Sequence, residues 1–178
     1  MNYLVIGYGN SLRGDDGVGR QVAEQVAAWN LPQVSSLSVH QLTPELAESI
    51  AHTDVVLFVD ASLGDRNQTE TGRGDEGVRG RQGEGETGIT SQTGTSCRIE
   101  RLQAADFHLS SDHLWSANSL LQLARLLYGS SPIAYQILIP AIQFDYGTTL
   151  SASAQEGVTW ALAKIEEVIS DTSKMVRC

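Results

Sequence analysis

The chain has 178 residues, the length of one ordinary domain, and a formal net charge of −9. Its 21 acidic residues against 12 Lys and Arg exclude a general nucleic-acid-binding role and disfavour binding to anionic membranes. Hydrophobic residues make up 41% of the chain, enough for a core. The longest apolar run, Val55 to Val59, is far shorter than the ~20 residues that span a membrane.

The termini and cysteines indicate the compartment. The first residues lack the basic start and the long apolar stretch of a signal peptide, so we expect a cytoplasmic protein. Cys97 and Cys178 form neither a disulfide framework nor a CxxC metal pair.

The first third of the chain predicts alternating strands and helices. Tyr3 to Ile6 is a short apolar strand that ends at Gly7. Apolar residues at helical spacing predict a helix from Asp16 to Trp29, with Asp15 as a candidate N-cap. Val34 to His40 alternates apolar and polar residues, as a half-buried strand does.

The middle of the chain continues this alternation and then breaks it. Thr43 as N-cap and Pro44 as first helical residue predict a helix that runs to about Ala51. Asp54 to Asp60 predicts a central parallel strand. Residues 64–96 hold 9 of the 17 glycines and no aromatic residue. We expect them to form a flexible insertion, because so few apolar residues cannot offset the entropy of ordering.

The last third completes the pattern. Arg98 to Leu102 predicts an edge strand, and Ser116 to Tyr128 predicts a helix that stops at Gly129. Ala134 to Ile139 predicts a strand, and Ser151 to about Ser170 predicts a final amphipathic helix. Alternating strands and helices predict an α/β fold, a three-layer sandwich around a mostly parallel sheet.

The glycine-rich segment after the first strand is the first candidate for chemistry. It runs from Gly7 to Gly19 and reads GYGNSLRGDDGVG. A nucleotide-binding oxidoreductase would need glycine where Leu12 stands and an acidic residue where His40 ends the second strand. Asp15 and Asp16 would repel a pyrophosphate and suit a cation or a polarised water, although acidic residues also simply cap helices.

Two later segments add candidates. Asp60 ends an apolar strand, where open parallel sheets bind ligands, although Asp also begins many turns. His108 and His113 precede the leucine-rich helix, where a histidine can bind a metal or merely cap and pack, and their spacing excludes an HExxH site. The sequence contains no GxSxG elbow and no Walker A lysine, and neither Cys97 nor Cys178 is placed as a nucleophile.

Taken in order, these segments resemble the nickel-iron hydrogenase maturation proteases. The family's opening, Gly-x-Gly-Asn-x-Leu-x-x-Asp-(Asp/Glu)-x-x-Gly, is matched from Gly7 to Gly19. Val55 to Ala61 is similar to the family's apolar strand ending in Asp-Ala, and His113 to the histidine before its leucine-rich helix. The resemblance covers nearly all of the chain outside 64–96. It implies one domain, 1–178, with a phosphorylase/hydrolase-like three-layer αβα fold.

The resemblance also implies a set of functional residues. Asp16, Asp60 and His113 are the implied metal ligands, and Asp16 and Asp60 are the implied catalytic residues of an aspartate-type site. One imidazole and two carboxylates suit nickel, although zinc or cadmium would also fit. The family implies that the nickel is carried by the substrate rather than held by the free enzyme. Either the metal or one carboxylate would activate the water.

Two segments depart from the common family pattern: the glycine-rich insertion at 64–96, which adjoins the strand bearing Asp60, and the residues after the second strand. Some members carry Asp-Gly-Gly-Thr after the second strand, and a catalytic role sometimes given to that Asp cannot be carried over because His40 stands there. The segment from Gln41 to Leu46, QLTPEL, resembles the subgroup that serves bidirectional, NAD(P)-linked hydrogenases.

The implied function is that of an endopeptidase. It would remove the C-terminal extension of the hydrogenase large-subunit precursor after nickel insertion, and we expect it to act as a monomer. A non-catalytic checkpoint that binds the nickel-loaded large subunit would use the same three residues. The two differ in whether the purified protein cleaves that precursor. The nucleotide-binding oxidoreductase is the remaining alternative.

Overall fold

The computed structural model describes residues 1–63, 96–103 and 115–175. The predicted insertion, apart from Ser96, lies outside these residues, as do His108, His113 and Cys178. The described strands are β1 (Tyr3–Tyr8), β2 (Val34–Val39), β3 (Val55–Leu63), β4 (Arg98–Leu102) and β5 (Ile133–Ala141). The described helices are α1 (Val18–Ala27), α2 (Leu46–Ala51), α3 (Ala117–Tyr128) and α4 (Ala152–Met175), with a 3-10 turn at Gly14–Gly17.

The five described strands form one mixed sheet in the order β2-β1-β3-β5-β4. All neighbours pair in parallel except β4, which runs antiparallel to β5 at one edge. The predicted edge strand is therefore confirmed, and so is the α/β fold with a mostly parallel sheet.

Two hydrophobic cores cover the two faces of the sheet. Alternate strand residues such as Val5 and Leu57 pack with α1 and α4, whereas Ile6 and Phe58 pack with α2 and α3. All four of these strand side chains are fully buried. The layers are thus helix, sheet and helix, and the continuous apolar runs of β1 and β3 reflect burial on both faces. Among the described residues, no helix is both long and apolar enough to cross a membrane.

Two predicted helix starts are wrong by about half a turn. The helix expected from Asp16 begins at Val18, because the preceding four residues form the 3-10 turn. Asp15 does not cap it, since the N-cap is Gly17 and no side chain caps the helix. The helix expected to begin at Pro44, with Thr43 as N-cap, begins at Leu46 with Glu45 as N-cap, and the residues before it form turns. By contrast, Ser116 caps α3 as its position suggests, accepting a hydrogen bond from the Ser119 N–H at 3.1 Å.

Gly7 and Gly19 allow α1 to lie directly against the sheet. A Cβ at Gly19 would collide with the carbonyl oxygens of Val59 and Tyr8, and one at Gly7 would collide with the carbonyl of Gly19. The contact is between backbones, so no side-chain rotation can relieve it. These glycines of the opening segment are therefore required by helix-strand packing and need no bound nucleotide to explain them.

Gly19→Ala should lower the free energy of unfolding by about 3 kcal/mol or more, because overpacking a rigid backbone contact forces the helix off the sheet. Urea denaturation measures the effect. Gln21→Ala, an exposed change on the same helix, should alter stability by less than about 0.5 kcal/mol. If Gly19→Ala and Gln21→Ala were equally stable, α1 would not lie as close to the sheet at Gly19 as the structure shows.

Candidate active site

A cavity of about 350 Å³ opens at the carboxyl ends of β1, β2 and β3. Tyr8, His40 and Asp60 line it: Tyr8 ends β1 and His40 directly follows β2. The prediction that Asp60 ends its strand is wrong, because β3 continues to Leu63 through its pairing with β5; Asp60 lies one residue beyond the last β3 residue paired with β1. The loop after β1 adds Asp16, and Trp115 lines it from the start of the segment that leads into α3. This is the edge of a parallel sheet at which ligands bind.

The opening loop is shaped to present Asp16. Gly9 has a φ of +131°, and a Cβ there would collide with the Asp16 carbonyl. The Asn10 N–H donates to Oδ2 of Asp16 at 3.0 Å, while the Asn10 side chain accepts from the Leu12 N–H at 3.0 Å. The Asp16 carboxylate is thus oriented by its own loop, and it faces the cavity.

Asp15 points the other way and is fully buried. Its carboxylate accepts the N–H groups of Ile142 and Gln143 at 3.0 Å each and the N–H of Ser151 at 2.7 Å. The Ser151 hydroxyl donates a further bond at 2.8 Å. Burial acts to raise the pKa of Asp15, but these hydrogen bonds outweigh it and the pKa lies below its ordinary value. Asp15 therefore ties the opening loop to the segment between β5 and α4.

Asp60 lies in a drier setting than an ordinary carboxylate. Burial raises its pKa to about 6, and the nearby charge of Asp16 adds to the rise. Hydrogen bonds from the Tyr8 hydroxyl and from the Ala61 N–H, the latter at 2.8 Å, act in the opposite direction. Burial and the Asp60 carboxylate in turn raise the pKa of Tyr8. Asp60 and Asp16 therefore face one cavity and interact electrostatically.

Two carboxylates on one cavity suit a divalent cation. Within residues 1–63, 96–103 and 115–175, no three His, Cys, Asp or Glu side chains form a group that could hold a metal.

Sequence analysis predicted part of this site. Asp16 and Asp60 do line one cavity, while His113 lies outside the described residues and remains a prediction. Tyr8, Arg13 and Trp115 were not singled out, although they also line the cavity. Tyr8 could have been found, because it closely follows the apolar run of β1, as Asp60 directly follows the apolar run of β3.

Solved structures share this architecture. A [NiFe] hydrogenase maturation protease HycI from Thermococcus kodakarensis KOD1 is 20% identical, with a TM-score of 0.63 over 95% of this chain and 92% of that one. The hydrogenase maturating endopeptidase HybD from E. coli is 17% identical, with a TM-score of 0.62 over 97% and 94%. HybD from T. kodakarensis is 19% identical, with a TM-score of 0.62 over 94% and 99%. At these identities the likeness establishes a shared fold.

No protein-family model matches the sequence. The search of curated proteins likewise gave no match.

Asp15→Asn should lower the free energy of unfolding at pH 7 by about 3 kcal/mol, because it disrupts a buried, charge-assisted hydrogen-bond cluster. The pKa of Asp15 is depressed in the folded protein. Its contribution is therefore complete above the ordinary carboxyl pKa and is lost as the pH falls through the folded value. The difference in the free energy of unfolding between wild type and variant should therefore become smaller at acidic pH. Urea denaturation at a series of pH values measures it. Asp16→Asn is the matched control. If it lowered the free energy of unfolding as much as Asp15→Asn does, Asp15 would not be the structural member of the pair.

Asp60→Asn should have the opposite effect on stability. The folded protein raises the Asp60 pKa from 3.8 to about 6, so it binds that proton more tightly than the unfolded chain does. Stability from this group therefore falls as the pH rises from about 4 to about 6. At pH 7 the variant should be about 1–2 kcal/mol more stable than wild type. Thermal unfolding across pH tests this; a variant that is less stable at every pH would contradict it.

Proposed function

We propose that the protein is an endopeptidase that removes the C-terminal extension of a nickel-iron hydrogenase large-subunit precursor. The observation that carries the proposal is the convergence of Asp16 and Asp60, from two separate elements, on one cavity at the carboxyl edge of the sheet. The fold shared with structures named as hydrogenase maturation proteases supports the same activity.

In this proposal the metal arrives with the substrate. Asp16 and Asp60 bind nickel that the large subunit already carries, and His113 is the third protein ligand. Trp115, two residues after His113, lines the same cavity, which supports including that histidine.

The neighbouring groups orient the two carboxylates. The Asn10 N–H holds one oxygen of Asp16, and the Ala61 N–H holds one oxygen of Asp60. Tyr8 donates a hydrogen bond to Asp60 from the floor of the site. These bonds fix both side chains before the substrate arrives, so little reorganisation accompanies binding. The scissile peptide lies beside the metal, and water is activated either by the metal or by one of these carboxylates.

Exposed apolar side chains beside the cavity support a protein substrate. Leu12 is 49% exposed, Ile142 64% and Tyr146 88%. All three belong to the two loops that Asp15 and the Leu12–Gly147 backbone bond hold together. Exposed apolar residues near a ligand-binding cavity are typical of surfaces that bind proteins, and the first of these loops adjoins the cavity through Asn10, Arg13 and Asp16.

We further propose that the client is a bidirectional, NAD(P)-linked hydrogenase. Gln41 and Leu42, from the segment that resembles that subgroup, line the cavity and would contact the substrate directly. Precursors of that hydrogenase class should therefore be processed faster than precursors of other classes.

The test is a processing assay with purified protein and the large-subunit precursor, with and without nickel, read by mass spectrometry. We expect nickel-dependent loss of a short C-terminal peptide. Asp16→Asn, Asp60→Asn and His113→Ala should each reduce the rate by at least about 100-fold, because each removes a group that acts on the reacting centre. Glu166→Gln, an equivalent change at an exposed residue of α4 that does not line the cavity, should leave the rate unchanged.

Two outcomes would contradict the proposal. Nickel-dependent binding without cleavage would favour the non-catalytic checkpoint. Unimpaired cleavage by any of the three variants would remove that residue from the site.

A further inference from the structure

The cavity holds one permanent cation among its described lining residues. That residue is Arg13, and it shares the cavity with the carboxylates of Asp16 and Asp60. Its side chain is exposed. An arginine in an otherwise acidic cavity has two common uses: it pairs with a carboxylate of the protein, or it binds an anionic group of the ligand.

The backbone of Arg13 is fixed on both sides. Its N–H donates to the Asn10 carbonyl at 3.0 Å, and its own carbonyl accepts from the Asp16 N–H at 3.1 Å. It also forms a parallel bridge with Gly147, through the bonds that Gly147 makes to Leu12 and Gly14 at 2.9 and 2.8 Å. The side chain therefore starts from a fixed point at the rim of the cavity.

Arg13 does not neutralise a carboxylate of its own protein in the described part of the chain. The ion pairs there join Arg98 to Glu100 and Lys164 to Glu167, and Arg13 takes part in neither. Asp16 is only three residues away, yet its carboxylate is held by a backbone N–H instead. The guanidinium thus keeps its donors for another partner.

We infer that Arg13 binds a carboxylate of the substrate peptide and is a specificity-determining residue of this site. The inference rests on the proposed function. A planar guanidinium presents paired N–H donors that match a carboxylate, which a lysine cannot do. The chain carries a net charge of −9, and two carboxylates share the cavity with Arg13. An anionic peptide would be repelled there unless a cation offset that charge.

The carboxylate has two possible sources: an Asp or Glu side chain near the cut, or the C-terminal carboxylate of the extension. The assay compares wild type, Arg13→Gln, Arg13→Lys and Arg125→Gln on the nickel-loaded precursor. Arg13→Gln should raise KM by about 10- to 100-fold and change kcat by less than about twofold, since the contact serves binding. The KM of Arg13→Lys should lie between those of wild type and Arg13→Gln. Arg125→Gln, the same charge change at an exposed position on α3, should match wild type.

A second set of substrates identifies the carboxylate. One precursor has Asn and Gln in place of the acidic residues near the cut, and another has an amidated C-terminus. On the substrate that lacks the bound carboxylate, wild type should show the raised KM and Arg13→Gln should add no further loss, as a double-mutant cycle requires. An unchanged KM for Arg13→Gln would overturn the inference. A penalty of the same size on both altered substrates would also overturn it.

Binding measured by calorimetry separates this inference from the proposed function. If wild type binds the nickel-loaded precursor without cleaving it, the endopeptidase proposal fails. The ratio of the Kd values for Arg13→Gln and wild type still decides the role of Arg13. A ratio of about 10 or more supports the contact, and a ratio near one excludes it.

Discussion

The carboxylate of Asp15 accepts four hydrogen bonds from the segment between β5 and α4, and the geometry of the cavity depends on them. The opening loop has no regular structure before its 3-10 turn, and backbone hydrogen bonds to His40, Gln143 and Gly147 hold it in place. Asp15 adds a side-chain attachment from the interior. The Ser151 hydroxyl that bonds Asp15 also accepts from the Ala154 N–H, so the same cluster sets the start of α4.

Three acidic residues, Asp15, Asp16 and Asp60, have different roles because their surroundings differ. Asp15 is buried among donors, which keep it ionised and make it structural. Asp16 is turned to the cavity by the Asn10 N–H. Asp60 is half-buried with fewer donors, so its ionised form is costly and its pKa rises. A carboxylate with a raised pKa that shares a cavity with a second carboxylate is a candidate functional residue.

The sequence predicted the features that local patterns control. The apolar runs of β1 and β3 locate the central strands, and the position of Asp60 directly after such a run places it at the cavity, although β3 itself continues to Leu63. The role of Asp15 could not be predicted, because its partners lie more than 120 residues away and are mostly backbone groups. The same holds for Arg13, whose position depends on a bridge to Gly147. Sequence patterns report periodicity well but do not reveal which distant backbone donors converge on a side chain.

The claim that Asp16 and Asp60 act on a metal carried by the substrate is tested most directly by X-ray absorption at the nickel edge. Spectra would be recorded for the nickel-loaded precursor alone and for its complex with this protein, isolated by gel filtration. The account predicts that complex formation adds oxygen ligands to the nickel, and that a complex formed with the Asp16→Asn, Asp60→Asn double variant lacks them. An identical nickel spectrum in the free precursor and in the wild-type complex would contradict it.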